Sequence, residues 1–129
     1  MNVLRRVHQS LRPDGLLLDV HPLGFDFAVR AGRRGLGFVD TRRFAEVIEA
    51  MNEGLEQTVA DGLFEQLTTR RRLVAERFDH AAEALEEADS WEHLHLPAAV
   101  RRRLEATDET PVEFIDTVRY RLLRRKPAR

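Results

Sequence analysis

The hydrophobic and polar positions of this chain change their period several times, which predicts alternating helices and strands. Apolar residues recur every three or four positions over 3–11, the spacing of an amphipathic helix. Pro13 ends that helix, because proline disfavours the α conformation in the residue before it. The continuous apolar run 16–20 then predicts a short strand that is covered on both faces.

A β-hairpin and a long helix are predicted next. Residues 25–39 alternate between apolar and polar positions on both sides of a turn, which indicates a hairpin with one buried face. Residues 41–61 carry one apolar stripe at helical spacing, and Gly62 follows where a left-handed residue ends many helices. Asp40 or Thr41 is expected to cap the start of this helix. We expect its buried face to form the centre of the core.

The second half predicts two more strands and two short helices. In chain order these are a strand over 64–78, helices over 80–89 and 97–106, and a strand over 112–123. Leu73 and Val74 are neighbours and both apolar, which indicates a bulge at that point of the first strand. Asp79 is expected to cap the helix that follows it.

Composition is that of an ordinary globular domain. The 129 residues fit a single domain spanning 1–129, and 43% hydrophobic with 33% charged residues argue against disorder. No apolar run approaches the roughly 20 residues that a bilayer span needs. The absence of cysteine excludes disulfides and thiol chemistry. We therefore expect a cytoplasmic protein with no membrane partner.

The charges are nearly balanced. Twenty-one basic and 22 acidic residues leave a net charge of -1, which provides no general attraction for nucleic acid. Basic residues cluster at 70–72, 101–103 and 124–126, but acidic residues offset them and no aromatic residues are interleaved for base stacking. We interpret the clusters as solvated faces with ion pairs, and expect no nucleic-acid partner.

The segment 4–19, LRRVHQSLRPDGLLLD, resembles the helix, turn and strand that lead into the fifth strand of class I S-adenosylmethionine-dependent methyltransferases. In that family the turn typically reads Leu-Arg-Pro-Gly-Gly; here Asp14 replaces the first glycine, and aspartate also tolerates turn conformations. The later elements are similar in order to the family's C-terminal half, with 64–78 and 112–123 as its closing antiparallel pair. The resemblance implies an α/β fold, a partial Rossmann-like sheet with a hairpin and one long central helix. An α+β fold is the alternative.

The resemblance also implies what is missing. Family members bind the methyl donor with a glycine-rich loop after the first strand and an acidic residue after the second, and this chain starts after both. Gly35 and Gly37 form the only G-x-G, which lacks the third glycine and the following helix, so we interpret them as hairpin glycines. We expect no cofactor on the isolated chain, and S-adenosylmethionine only if another chain completes the domain. No catalytic or cofactor-binding residue is assigned.

Asp19 and His21 are the candidates for substrate-facing residues. They lie at the end of the strand predicted over 16–20, and open α/β sheets place ligand contacts at the carboxyl ends of strands. The alternative is that they only terminate the strand. His93 and His95 would share one face of an extended segment, but no third ligand is evident nearby, so we expect no metal site.

An interior strand of a parallel sheet needs neighbours. If residues 16–20 descend from such a strand, their backbone groups and apolar face must be covered. The cover could be a second copy in a two-fold dimer, the 25–39 hairpin folded over the edge, or a second chain that carries the donor-binding half. We favour a homodimer, because it needs no other protein.

Three functional hypotheses result. The first is a methyltransferase-derived domain that is non-catalytic alone and acts by self-association or binding. The second is a subunit or fragment of an S-adenosylmethionine-dependent methyltransferase that another chain completes, with Asp19 and His21 near the methyl acceptor. The third is a small-ligand-binding α+β dimer, for which a deep apolar pocket between the long helix and the sheet is expected.

Overall fold

The computed structural model describes residues 3–127, which form four helices and one five-stranded sheet. In chain order the elements are α1 (Val3–Ser10), β1 (Leu16–Pro22), β2 (Ala28–Ala31), β3 (Arg34–Phe38), α2 (Arg42–Ala60), β4 (Phe64–Phe78), α3 (Ala81–Asp89), α4 (Ala98–Ala106) and β5 (Val112–Arg125). All strand pairs in this part of the chain are antiparallel, so the fold is α+β, the alternative of the two expected classes. None of the described helices is long and apolar enough to cross a membrane.

The sheet is organised around β5, the last strand. On one side β4 pairs with β5 along its full length. On the other side two shorter strands lie end to end, with β1 against residues 118–124 and β2 against residues 112–115. The predicted hairpin is confirmed as β2 and β3, with Gly35 and Gly37 inside β3. It pairs with β5 and does not cover β1, so the hairpin is not the cover that residues 16–20 were expected to need.

Two hydrophobic cores lie on opposite faces of the sheet and at opposite ends of β5. The larger core packs α3 and α4 against β2, β3 and the first part of β5, where Phe114 is buried. The smaller core packs α1 and α2 against the last part of β5, where Leu123 is buried. Because side chains alternate along a strand, Phe114 and Leu123 point to opposite faces. We call these the α3–α4 face and the α2 face.

The expectation that the long helix forms the centre of the core is wrong. No residue of α2 belongs to the larger core, and Val47 and Met51 in its apolar stripe are 43% and 48% exposed. Only Ile48, Leu55 and Thr58 of α2 are buried. The polar side chains of His21 and Arg121 lie under the middle of α2, and only Leu55 and Val59 of the helix belong to the smaller core.

Two local predictions in the second half are also wrong. The register of β4 shifts between Gln66 and Thr68, and the pairing is regular at Leu73 and Val74. Those two neighbours are 73% and 44% exposed, so neither has to be buried and both fit into a regularly paired strand. Helix α3 starts after His80 and has no side-chain cap, so Asp79 does not cap it.

The C-terminal end of α2 agrees with the sequence, whereas at its start Thr41 holds the N-cap position without a side-chain cap hydrogen bond. Asp40 Oδ1 accepts a hydrogen bond from the backbone N–H of Arg42 at 3.1 Å, in the first turn of the helix. The Thr41 hydroxyl instead donates to the backbone oxygen of Gly24 at 2.7 Å. Gly62 has a φ of +77°, the left-handed conformation predicted for the residue that ends this helix.

The position of the larger core is tested by a pair of leucines. Leu104→Ala in α4 should lower the free energy of unfolding by about 2–5 kcal/mol, because the side chain is completely buried and its removal leaves a cavity. Leu73→Ala is the matched control, since Leu73 is 73% exposed and should lose about 0.5 kcal/mol or less. Urea unfolding measures both, and equal losses would contradict the described core.

Candidate functional site

A polar cluster lies between β1, β5 and the middle of α2. In the pairing of β1 with β5, Asp19 lies opposite Arg121, and His21 follows two residues along on the same face. Asn52 enters the cluster from α2 and lies within hydrogen-bond distance of both His21 and Arg121. His21 and Arg121 are each 4% exposed, so the cluster is enclosed by the helix.

Asn52 joins the helix to both strands. Its Oδ1 accepts hydrogen bonds from Arg121 Nη2 at 2.6 Å and from His21 Nε2 at 2.9 Å. Because Arg121 can only donate, this oxygen is the acceptor, and His21 Nε2 carries a hydrogen in this arrangement. Arg121 Nε lies 3.4 Å from Asp19 Oδ2, which completes an ion pair across the two strands.

The two residues predicted from the sequence lie side by side. His21 Nδ1 is 2.9 Å from Asp19 Oδ2, but this close contact is not aligned as a hydrogen bond and leaves buried Nδ1 without a hydrogen-bond partner. The Asp19 side chain is 21% exposed, whereas that of His21 is 4% exposed. The structure therefore brings the candidate pair together under α2. Its contact with a substrate stays a prediction.

A groove of about 420 Å³ lies beside this cluster, between α2 and the strands β4 and β5. Arg71, Arg119 and Arg121 contribute to its walls from the sheet, and Glu56 contributes from α2. Burial lowers the pKa of Arg119 from its ordinary value, and the charges of Arg121 and Arg71 lower it further. A cavity between the long helix and the sheet was expected to be apolar under the third hypothesis, but this one is lined mainly by charged and polar groups.

The chain was compared with protein-family models, curated proteins and solved structures, and none of them matches it. The resemblance to methyltransferases therefore rests on the segment 4–19 and on the order of the elements.

The arginine clusters differ in their partners. Arg101 and Asp89 form an ion pair at 2.6 Å, and Arg124 and Glu65 form one at 2.5 Å, so two clusters contain the ion pairs expected of them. In the cluster at 70–72, no ion pair or hydrogen bond to another residue of 3–127 is formed by the side chains. That cluster is the one next to the groove.

An apolar surface patch lies on the α3–α4 face at the β1 end of the sheet. Leu16, Leu18 and Val20 are 56%, 58% and 48% exposed. Their cross-strand neighbours continue the patch, with Leu122 opposite Leu18 and Tyr120 opposite Val20. We call these five residues the β1 patch. Helices α3 and α4 cover the other end of this face.

Strand β1 is paired on one edge only. Among the described strands it pairs with β5 alone, which leaves the backbone groups along its other edge without a strand partner. The expectation that residues 16–20 are covered on both faces is also wrong, because Leu16, Leu18 and Val20 are about half exposed. Only Leu17, which points to the α2 face, packs against a core. A continuous apolar run does not distinguish an interior strand from an edge strand with one bare face.

Asn52 is a residue of the candidate site that was not predicted from the sequence, although a signal was present. It lies four residues after Ile48 and three before Leu55, both of which are buried, so it interrupts the apolar stripe of α2. A polar side chain at a buried helical position needs a hydrogen-bond partner, which would have indicated a polar site under the helix. Arg119 and Arg121 share one face of β5, but the sequence did not indicate that α2 covers that face.

Asp116 of β5 is a half-buried carboxyl on the α3–α4 face. Its Oδ1 is buried and has no hydrogen-bond partner within residues 3–127. Burial raises the pKa of this carboxyl, against a smaller lowering by the backbone N–H of Thr117. Because the pKa of the folded state lies above that of the unfolded state, the folded state is favoured while Asp116 is protonated. The free energy of unfolding therefore falls as the pH rises from the pKa of Asp116 in the unfolded chain through its higher pKa in the folded protein.

Asp116→Asn tests this pH dependence. The amide has nearly the same shape and no charge, so the variant should have a higher Tm than the wild type near about pH 7, where the wild-type carboxyl is charged. The difference should shrink toward about pH 4 as the wild-type group protonates. Thermal unfolding monitored by circular dichroism across this range measures it. A difference that is independent of pH would rule out the assigned cause.

Substitution of Asn52 tests the polar cluster. Asn52→Leu leaves Arg121 and His21 without their shared acceptor and should lower the free energy of unfolding by about 2–3 kcal/mol. Asn52→Asp keeps an oxygen acceptor for the two donors and should lose less. Urea unfolding of both variants makes the comparison. The cluster has no structural role if the leucine variant is as stable as the wild type.

Proposed function

We propose that this chain is a methyltransferase-derived α+β domain whose sheet descends from part of a Rossmann-like sheet. In this proposal the domain acts by self-association. In this proposal it is not an enzyme as an isolated chain, and it forms a homodimer by pairing β1 with its copy in a second chain. The observation that carries the proposal is β1, an apolar strand with one edge unpaired and three aliphatic side chains about half exposed.

The first turn supports descent from the methyltransferases. Asp14 has a φ of +60°, in the left-handed region that favours glycine. This is the position where the family typically has a glycine, and aspartate is one of the few other residues that tolerate this conformation. The turn joins α1 to β1 as the resemblance implies. The closing antiparallel pair that the resemblance implies corresponds to β4 and β5.

The properties of β1 support association through its edge. Proteins commonly block exposed strand edges with lysine, proline or a bulge. The run LLLDVHP of β1 contains no lysine, its only proline is the last residue, and its pairing with β5 is regular. Such an edge can accept a strand from another chain through backbone hydrogen bonds.

The side chains of β1 favour a second copy as that chain. In an antiparallel pair related by a two-fold axis, one residue lies opposite itself. If that residue is Leu18, then Leu16 lies opposite Val20 of the copy, and Leu17 opposite Asp19. If it is Asp19, two carboxylates lie opposite each other, which is unfavourable. The register centred on Leu18 therefore avoids like charges and joins the two β1 patches into one apolar surface.

The second candidate is a methyltransferase subunit that a different chain completes. It is favoured by the direction of the strands, since β1 and β4 both run antiparallel to β5 and therefore parallel to each other. A parallel strand from a donor-binding chain would use the same free edge of β1. In that case the chain would be monomeric alone and would associate with a protein that contains a glycine-rich strand-turn-helix segment.

The oligomeric state distinguishes the two candidates. Sedimentation equilibrium should show a dimer for the wild type, and Leu18→Lys should raise the dissociation constant by about 100-fold or more, since it places two cations opposite each other. Leu73→Lys is the matched control, because Leu73 is an exposed leucine on β4, at the opposite edge of the sheet. A wild type that stays monomeric at high concentration contradicts the homodimer, as does equal weakening by both substitutions.

Titration with S-adenosylmethionine tests the expectation that the isolated chain does not bind the methyl donor. Isothermal calorimetry on the isolated chain should give no heat of binding, because the only G-x-G lies within strand β3 of the hairpin. A micromolar affinity for the lone chain would overturn this part of the proposal.

A further inference from the structure

The groove between α2 and the sheet is lined by four arginines, Arg70, Arg71, Arg119 and Arg121. The last three share the α2 face, whereas Arg70 lies opposite Tyr120 and belongs to the other face. Arg71 of β4 lies directly opposite Arg119 of β5, and Arg121 is two residues further along β5 on the same face. Like charges at directly opposite positions of an antiparallel pair destabilise it. This arrangement therefore needs an anionic group nearby to offset the repulsion.

The described residues supply only part of the negative charge that would offset this repulsion. Arg121 is 3.4 Å from Asp19 Oδ2, but Arg71 and Arg119 form no ion pair or hydrogen bond to other side chains of residues 3–127. Glu56 is the one carboxylate among the described residues of the groove wall, and it is exposed. Arg119 is partly buried, and burial together with the charges of Arg121 and Arg71 lowers its pKa. The groove thus keeps a surplus of positive charge.

Arg121 is held in place before any ligand arrives. Its Nη2 donates to Asn52 and its Nε points to Asp19, while Nη1 makes no hydrogen bond within the described residues. The side chain is 4% exposed, so its conformation is restricted by packing. A donor that is fixed in advance loses little entropy when it binds a ligand.

We propose that this groove binds the phosphate group of a small phosphomonoester, with Arg71, Arg119 and Arg121 as its ligands. The planar fork of a guanidinium matches the oxygens of a phosphate, and three such groups can approach a tetrahedral anion from different directions. A carboxylate presents its acceptor sites in one plane, so three guanidinium groups from different directions surround it less well than the tetrahedral oxygens of a phosphate.

The size of the groove indicates a ligand larger than inorganic phosphate. A volume of about 420 Å³ lies within the range of small-molecule pockets. Gln66 and Thr69 of β4 also line it and offer uncharged hydrogen-bonding groups for the rest of the ligand. The groove lies along β4, and the free edge of β1 is on the other side of β5, so this site is independent of the proposed dimer.

The test is a titration of the full chain at constant ionic strength with inorganic phosphate, glycerol 3-phosphate and malonate. Isothermal calorimetry should show the phosphomonoester binding most tightly and malonate most weakly. Arg119→Gln and Arg71→Gln should each weaken binding of the phosphomonoester by about tenfold, the loss of one charge-assisted contact. Because Arg71 is exposed, Arg71→Gln should leave folding intact, so it still tests the groove if Arg119→Gln impairs folding.

Arg102→Gln is the matched control, an exposed arginine of α4 that should leave binding unchanged. Leu18→Lys should also retain binding, which separates failure of the dimer from failure of the phosphate site. Malonate binding as tightly as glycerol 3-phosphate would overturn the proposal. So would an affinity that is the same in the wild type and in both groove variants, or an absence of binding by all three anions.

Discussion

The pairing of β5 with β4 along its full length is the interaction on which the rest of the structure depends. Strand β5 is last in the chain, yet both cores are built on it, through Phe114 on one face and Leu123 on the other. β1 and β2 also form their ladders against β5, end to end. A single long strand therefore sets the register of β1, β2 and β4 directly, and that of β3 through β2. The hairpin, the helices and the free edge of β1 take their positions from it.

Because the helices cover opposite faces at opposite ends of β5, the α3–α4 face keeps an uncovered region at the β1 end. On the α3–α4 face this region is the β1 patch, where apolar side chains meet solvent. On the α2 face the middle of the helix lies over Arg121 and His21, and not over an apolar surface. The usual distribution is thus partly reversed in the second half of β5, where Leu122 is less buried than Arg121. Both proposed sites follow from this offset between helices and sheet.

Local periodicity predicted the elements well, because the spacing of apolar residues depends only on the geometry of a helix or a strand. The helix before Pro13, the hairpin, the long helix that ends before Gly62 and the last strand were all expected. The position of β1 at an edge of the sheet was not. Which strand lies beside which depends on pairing between distant residues such as Leu17 and Leu123, and a single sequence contains no record of that pairing. The role of Asn52 in the cluster could have been predicted from the sequence, because it is a polar residue between the buried positions Ile48 and Leu55 of α2.

The polar cluster under α2 is not explained by stability alone. Burying an ion pair costs desolvation, and apolar residues of similar size often stabilise a fold as well or better. The pair formed by Arg121 and Asp19 therefore needs another reason, and its geometry supplies one. Asn52 and Asp19 use two of the arginine's nitrogens and leave Nη1 beside the groove that Arg119 and Arg71 also line. A buried arginine held in this way keeps a positive charge at a fixed point with one donor group free, which suits the phosphate recognition that we propose.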